Sequence, residues 1–314
     1  MVQEPYLLPT RKLRRPTPLC RYCTKGCSPL QLQAHSDETA KFPWANLRIP
    51  PFPQVAIQML RLTDNEDISM RQLSVLISSE PAFSSEVLTI ANSALYGSRF
   101  SITSVLQAVV MLGTNALRGL CLTVAVRIYL GESLKHEALR ALWRHNMACA
   151  LIARQLALAG SMNGDTAYTA GIMHDVGRLA LAAFSPARYA ALLQKHSGSS
   201  SSILAVEHAL FGFDHCEAGR HLIRDWKLPS DFEAIVSDHH APRYKGDPWC
   251  MSGLINVSCR LADTAGFAVF QGCETTPYAD LLEELPDSAR QTLSAGLEQL
   301  SFEISRQINA VESL

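Results

Sequence analysis

Apolar residues recur along this chain at three- and four-residue steps, the pattern of helices with one buried face. After Pro50-Pro51-Phe52-Pro53 they fall at Val55, Met59 and Leu62, and Pro53 suits a first turn because it has no amide hydrogen to leave unpaired. Ile68-Ser69-Met70-Arg71-Gln72-Leu73 predicts the next start: Ser69 and Gln72 have capping-box spacing, and Ile68 with Leu73 that of a hydrophobic staple. Glu80-Pro81 opens a third helix with Phe83, Val87, Ile90 and Ala91 on one face and Gly97 past its end. Ser104 and Gln107 cap a short helix that stops at Gly113, and a longer apolar helix then runs to Gly131. The pattern is helical again over 137–159, over 171–184 in small residues, and over 202–210. Asp214 and Glu217 form another capping box, opening a helix that ends at Trp226-Lys227-Leu228-Pro229. Ser230 caps the next one, which stops before Pro242, and 249–266 forms one more. Near the C-terminus Leu293, Leu297, Leu300, Ile304, Ile308 and Val311 make a stripe suited to packing on the body or on a second copy. Alternating strand patterns are absent, so the expected class is all-α with short connections.

Composition narrows the function classes. The 314 residues are 47% hydrophobic and 18% charged, enough for a full core, and the net charge of −1 gives the whole chain no footprint for nucleic acid. No uninterrupted apolar run reaches the roughly 20 residues that span a bilayer, and the start lacks the apolar core of a secretion signal. A cytoplasmic setting with reduced thiols is therefore expected for the nine cysteines. Residues 1–47 differ from the rest: Arg11, Lys12, Arg14, Arg15, Arg21, Lys25 and Lys41 lie among prolines with little periodicity, which reads as a basic, irregular tail. Contact with nucleic acid, an acidic partner or a membrane surface is conceivable only through this tail. Within it Cys20, Cys23 and Cys27, followed by His35, have donors for a tetrahedral zinc site, although the spacing fits no common ribbon or finger and three free thiols is the simpler reading.

Of ten histidines, five stand out with two aspartates: His145, His174-Asp175, His215, the pair His239-His240, and Asp263. Imidazole and carboxylate together suit iron, manganese, nickel or zinc. Adjacent His and Asp on one helix point about 100° apart, so they share a metal only where neighbours cross closely. Ala170-Gly171 and Gly177 permit such an approach. Taken singly, each residue also has a plainer reading. His145 fits a core histidine, His174-Asp175 a buried pair that fixes a helix crossing, and His215 a solvated residue of a capped first turn. His239 and His240 continue apolar rows from Ile235 and Val236, and Asp263 shares a face with Asn256 and Arg260.

The order His145, His174-Asp175, Asp263 resembles the HD superfamily of metal-dependent phosphohydrolases, and more closely the HDOD family, the HD-related output domain of bacterial signalling proteins. The stretches that carry the likeness include Ile77-Ser78-Ser79-Glu80-Pro81-Ala82-Phe83, Ala91-Asn92-Ser93-Ala94-Leu95-Tyr96-Gly97, Ala170-Gly171-Ile172-Met173-His174-Asp175-Val176-Gly177-Arg178 and His239-His240-Ala241-Pro242. The resemblance covers about 47–265. It implies an HD-like helical bundle (131–265) preceded by an N-terminal helical half (48–130), with 266–314 as a C-terminal helical extension.

The resemblance also implies a site. His145, His174, Asp175 and Asp263 match the positions that hold a first metal in HD hydrolases, and His215, His239 and His240 those that help hold a second. HDOD domains, however, resemble hydrolases without shown activity and act as regulatory output modules. Two departures here point the same way: Arg178 stands where phosphodiesterases of the HD-GYP kind have Lys, and no Gly-Tyr-Pro loop follows His239-His240. A signalling module that binds protein partners or a ligand, with a divalent metal and a homodimer both open, is the reading the resemblance favours. A metal-dependent phosphohydrolase or phosphodiesterase is the alternative.

Overall fold

A computed structural model describes residues 51–63, 68–97, 101–199, 202–241 and 249–313. The basic tail, Cys20, Cys23, Cys27 and His35 lie outside the described residues. Among those described the chain is helical, and its one β contact is an isolated bridge between Gly198 and Cys273. The all-α expectation holds.

Three short helices, α1 (Gln54–Leu62), α2 (Met70–Ser78) and α3 (Pro81–Ala91), pack on a long fourth, α4 (Val105–Leu130). The predicted caps are in place. Ser69 and Gln72 satisfy each other's amides at the start of α2, and Ser104 accepts from the Gln107 amide at the start of α4. Gly113 breaks α4 into two pieces at φ 74°, ψ 171°, a backbone state open essentially to glycine alone. The expected stop there is real, and the second piece sets off at a new angle. The region 105–135 is long and apolar enough to cross a membrane by composition. Yet every residue from Leu117 to Val126 is buried in the protein, so that apolar surface is consumed by the core.

The second half is built around α5 (Glu137–Ala159), in which Met147 to Ala153 are buried without interruption. A helix apolar on all sides belongs at the centre of a fold. Helices α6 (Gly164–Met173) and α12 (Met251–Ala262) lie against it. Then come α7 (Val176–Phe184), α8 (Pro186–Lys195), α9 (Ile203–Phe211), α10 (His215–Asp225) and α11 (Asp231–Asp238). The single helix expected over 171–184 is two helices, α6 and α7, which meet at His174-Asp175. Asp214 and Glu217 form the expected capping box on α10, whereas Ser230 makes no side-chain cap on α11. One apolar core runs from Phe52 to Val311, and Phe52 stacks on Trp226 with ring centroids 4.8 Å apart.

Beyond α12 the chain makes a π turn (Asp263–Phe267) and three helices, α13 (Tyr278–Glu283), α14 (Asp287–Thr292) and α15 (Leu297–Glu312). Leu300, Ile304, Ile308 and Val311 of the C-terminal stripe are buried, and α15 lies on α5 and the π turn. Of the two roles open to the stripe, the structure shows it packing on the body. Replacing Gly113 by Ala meets no atom within 4 Å, so only backbone strain remains. We expect Gly113→Ala to lower stability by about 1–3 kcal/mol, read as a shift in the urea midpoint.

Candidate metal centre

The geometry starts from the junction of α6 and α7. Asp175 leaves helical geometry at φ −103°, ψ 24°, which lets His174 and Asp175 both face inward despite being neighbours. Gly177 makes the crossing of α7 and α10 possible. A Cβ there would stand 1.9 Å from the His215 carbonyl oxygen and 2.7 Å from the Gly219 nitrogen. That close approach delivers His215 to Asp175, with its Nε2 3.4 Å from Oδ1.

Three imidazoles are anchored alike. His145 Nδ1 donates to the Phe267 carbonyl at 2.9 Å, His174 Nδ1 to the Gly171 carbonyl at 2.6 Å and His239 Nδ1 to the Val236 carbonyl at 3.0 Å. A carbonyl only accepts, so each ring carries its proton at Nδ1 and presents the Nε2 lone pair inward. Among these, His174 Nε2 and His239 Nε2 are buried with no hydrogen-bond partner, as is Oδ1 of Asp175. His239 Nε2 lies 3.2 Å from that Oδ1, and His174 Nε2 lies 3.6 Å from Oδ2. Lone pairs thus face lone pairs in a dry interior, an arrangement that is costly unless a cation stands among them. The donor set fits a divalent metal on this ground.

Protonation agrees with that picture. Burial drives the His174 pKa down to about 3, and burial lowers those of His239 and His240 as well. Burial would raise the pKa of Asp175, but Arg178 and the surrounding imidazoles outweigh it and hold the carboxylate ionised. Asp263, at the C-terminal end of α12, places Oδ1 3.3 Å from Nδ1 of His145. Burial depresses His145, but Asp263 overcomes it and makes the ring more basic, as a carboxylate behind a metal-binding imidazole does.

The second group of histidines is arranged differently. His215 is fully buried, which corrects its reading as a solvated residue. The cause is Glu207 of α9, also fully buried, which accepts from His215 Nδ1 at 2.6 Å, from the His215 amide at 2.9 Å and from the Tyr189 hydroxyl at 2.6 Å. Burial pulls the His215 pKa down, but Glu207 prevails and lifts it to about 10. His240 Nε2 is 2.9 Å from His215 Nε2. Arg178 is threaded into this group. Its Nε lies 3.2 Å from Asp175 Oδ2 and 3.4 Å from His215 Nε2, and its Nη2 is 3.4 Å from His240 Nε2.

The structure therefore brings together all seven histidine and aspartate residues singled out in the sequence, with Arg178 among them. Three participants were missed: Glu207, Tyr189 and Cys259. Glu207 is the one acid of α9, and Cys259 precedes Asp263 by one helical turn; both are signals the sequence contains. A cleft of about 200 Å³ opens beside His239, His240, Asn256, Cys259, Arg260 and Asp263.

A bundle of this helix order, with an His…His-Asp…Asp cluster at its heart, is an HD-type scaffold. The HDOD domain family model matches residues 49–242, and the chain belongs to that family. An uncharacterized protein of Treponema pallidum (strain Nichols) is 23% identical over 197 residues, which is 61% of this chain and 37% of that one. This chain thus spans little more than a third of that relative's length. Among solved structures, an HDOD domain protein of unknown function from Geobacter sulfurreducens superposes with a TM-score of 0.62 at 21% identity, covering 86% of this chain and 93% of that one. A candidate signal transduction protein of Marinobacter aquaeolei VT8 follows with a TM-score of 0.60 at 22% identity, covering 85% and 60%. A candidate metal-dependent phosphohydrolase of Shewanella amazonensis SB2B has a TM-score of 0.59 at 18% identity, covering 85% and 95%. At these identities they share the fold.

The Glu207–His215 pair sets a pH signature. His215 is raised from about 6.5 to about 10, so its contribution is whole below the lower value and fades as pH rises through the higher. Glu207 is lowered, so its contribution stands above about 4.5 and fades on acidification. The stability advantage of the wild type over Glu207→Gln should be greatest between these limits and shrink towards alkaline pH. Urea melts at about pH 6 and about pH 9.5 read this directly, and an advantage of equal size at both contradicts it.

Proposed function

We propose that this chain is a regulatory HDOD module that works by binding a protein partner or a small ligand in a cytoplasmic signalling pathway, without turning over a phosphate ester. The observation that carries this reading is Arg178. Its guanidinium is buried among Asp175, His215 and His240, where a two-metal hydrolase of this scaffold would place its second cation. A guanidinium neutralises the carboxylate as a metal would, but it is donor-only and cannot bind and activate a water. The charge is supplied and the chemistry is not.

One divalent ion of the iron, manganese, nickel or zinc class suits the remaining donors. His145, His174 and Asp175, with Asp263 at the His145 ring and His239 opposite, would hold it. When bound it supplies positive charge that ties α5, α6, α7, α11 and α12 together, coupling metal occupancy to stability. His145, His174 and His239 keep their protons on the carbonyl side, and the surrounding apolar helices exclude water from Asp175.

The phosphohydrolase reading has one observation in its favour: the cleft opens on the same donors. The cleft's arginine weakens it. Both Nη atoms of Arg260 donate to Glu284 at 2.7 Å, and its Nε to the Thr276 hydroxyl at 3.3 Å, so this cation is already committed.

The two readings separate on a panel of mono-, di- and cyclic dinucleotides with added manganese, iron, nickel or zinc. No phosphate release above the protein-free rate is expected. Metal-stimulated release that vanishes in Asp175→Ala would reverse the assignment. Partner capture that survives His174→Ala with Asp175→Ala would support it.

A further inference from the structure

Cys259 is buried on α12, one turn before Asp263, and its Sγ lies 3.4 Å from Nε2 of His145. Its position relative to the bare nitrogens is what matters. One ligand atom from each of His145, His174 and Cys259 lies within 4.8 Å of the other two. The bond lengths of tetrahedral zinc, about 2.3 Å to sulfur and about 2.05 Å to nitrogen, put a sulfur and a nitrogen on one ion about 3.6 Å apart. The observed pair is already at nearly that separation. A simple S–H···N hydrogen bond would have a similar length. What distinguishes this pair is the unpaired, fully buried Nε2 of His174 beside it, which no hydrogen bond within the protein satisfies.

We propose that Cys259 is a thiolate ligand of the metal centre, joining His145 and His174, and that this chain accordingly takes a thiophilic ion of the zinc class in preference to manganese. The inference rests on the metal-binding part of the function proposed above and adds the identity of the ion. On binding, the Cys259 S–H bond breaks, its proton leaves to solvent and the sulfur lone pair forms the bond to the metal. Nothing is oxidised or reduced. The cleft that reaches Cys259, His239 and Asp263 is the route by which ion and proton exchange. A sulfur in place of an oxygen changes selectivity because soft thiolates favour zinc, whereas carboxylate and water favour manganese. Two other thiols serve as controls: Cys149, turned to the Ile255 carbonyl at 4.0 Å, and Cys216, whose sulfur lies with the ring nitrogens of His215, His239 and His240.

The test uses the full chain stripped of metal and titrated anaerobically with cobalt(II), whose bonds to thiolate give an intense near-ultraviolet charge-transfer band. One band-forming cobalt per chain is expected, with the band lost in Cys259→Ser. It should be retained in Cys149→Ser, in Cys216→Ser and in the triple variant Cys20→Ser, Cys23→Ser, Cys27→Ser, which removes the tail thiols. In competition, Cys259→Ser should lose at least about tenfold in preference for zinc over manganese. Zinc-edge X-ray absorption on the triple variant needs no change at Cys259 and should show one sulfur at about 2.3 Å. A band that persists in Cys259→Ser, a zinc shell of nitrogen and oxygen only, or a chain that binds neither ion overturns the proposal. None of these outcomes touches the regulatory reading, which falls only if phosphate is released.

Discussion

Asp175 is the ionised carboxylate around which the second half of the fold is arranged. It is buried to 1% exposure, and a charge in that position is stable only if cations or strong donors converge on it. Arg178 reaches it from one turn away and His215 from α10, while His174 and His239 turn their Nε2 lone pairs towards it from α6 and α11. Each of those side chains needs its own second partner to be held at the right angle. The Gly171 and Val236 carbonyls and the Glu207 carboxylate provide them. Moving α10 would separate His215 from both Asp175 and Glu207. An electrostatic demand at one residue thereby becomes a constraint on helix packing.

Much of this was legible in the sequence, because helix starts and stops are local events. The capping boxes at Ser69–Gln72 and Asp214–Glu217, and the break at Gly113, depend on a few neighbouring residues and appear where expected. What was missed is non-local or aperiodic. Helix α6 is buried on nearly every side from Ala167 to Met173, so it shows no polar face from which to read a period. The turn at Asp175 is hidden because apolar and small residues, Arg178 aside, continue on both sides of it, from Ala170 to Met173 and from Val176 to Ala183. His215 looked solvated because its own turn is polar, and its burial is decided by Glu207 on another helix. The metal-binding order was readable only because several weak signals occur in sequence, and Cys259 was not part of that order.

Scaffold and chemistry separate cleanly here. The family match and the shared fold fix how the helices run, and relatives with this fold include both a candidate phosphohydrolase and a candidate signalling protein. One scaffold can host more than one role, so the role is argued from the side chains at the site. In this chain the guanidinium of Arg178 lies against the Asp175 carboxylate, with Nε 3.2 Å from Oδ2.

The placement of α15 reaches further than its position at the chain end suggests. It lies on α5 and on the π turn, where Ser301 donates to the Ala265 carbonyl at 2.8 Å and Arg144 of α5 pairs with Glu312 and covers the Phe267 ring. Phe267 is the residue whose carbonyl orients His145. The recognised family segment ends at residue 242, before Cys259, Asp263 and Phe267. A fragment cut at that boundary would retain the signature histidines while discarding the clamp that aims the first of them, so the smallest competent unit is longer than the portion by which the family is recognised.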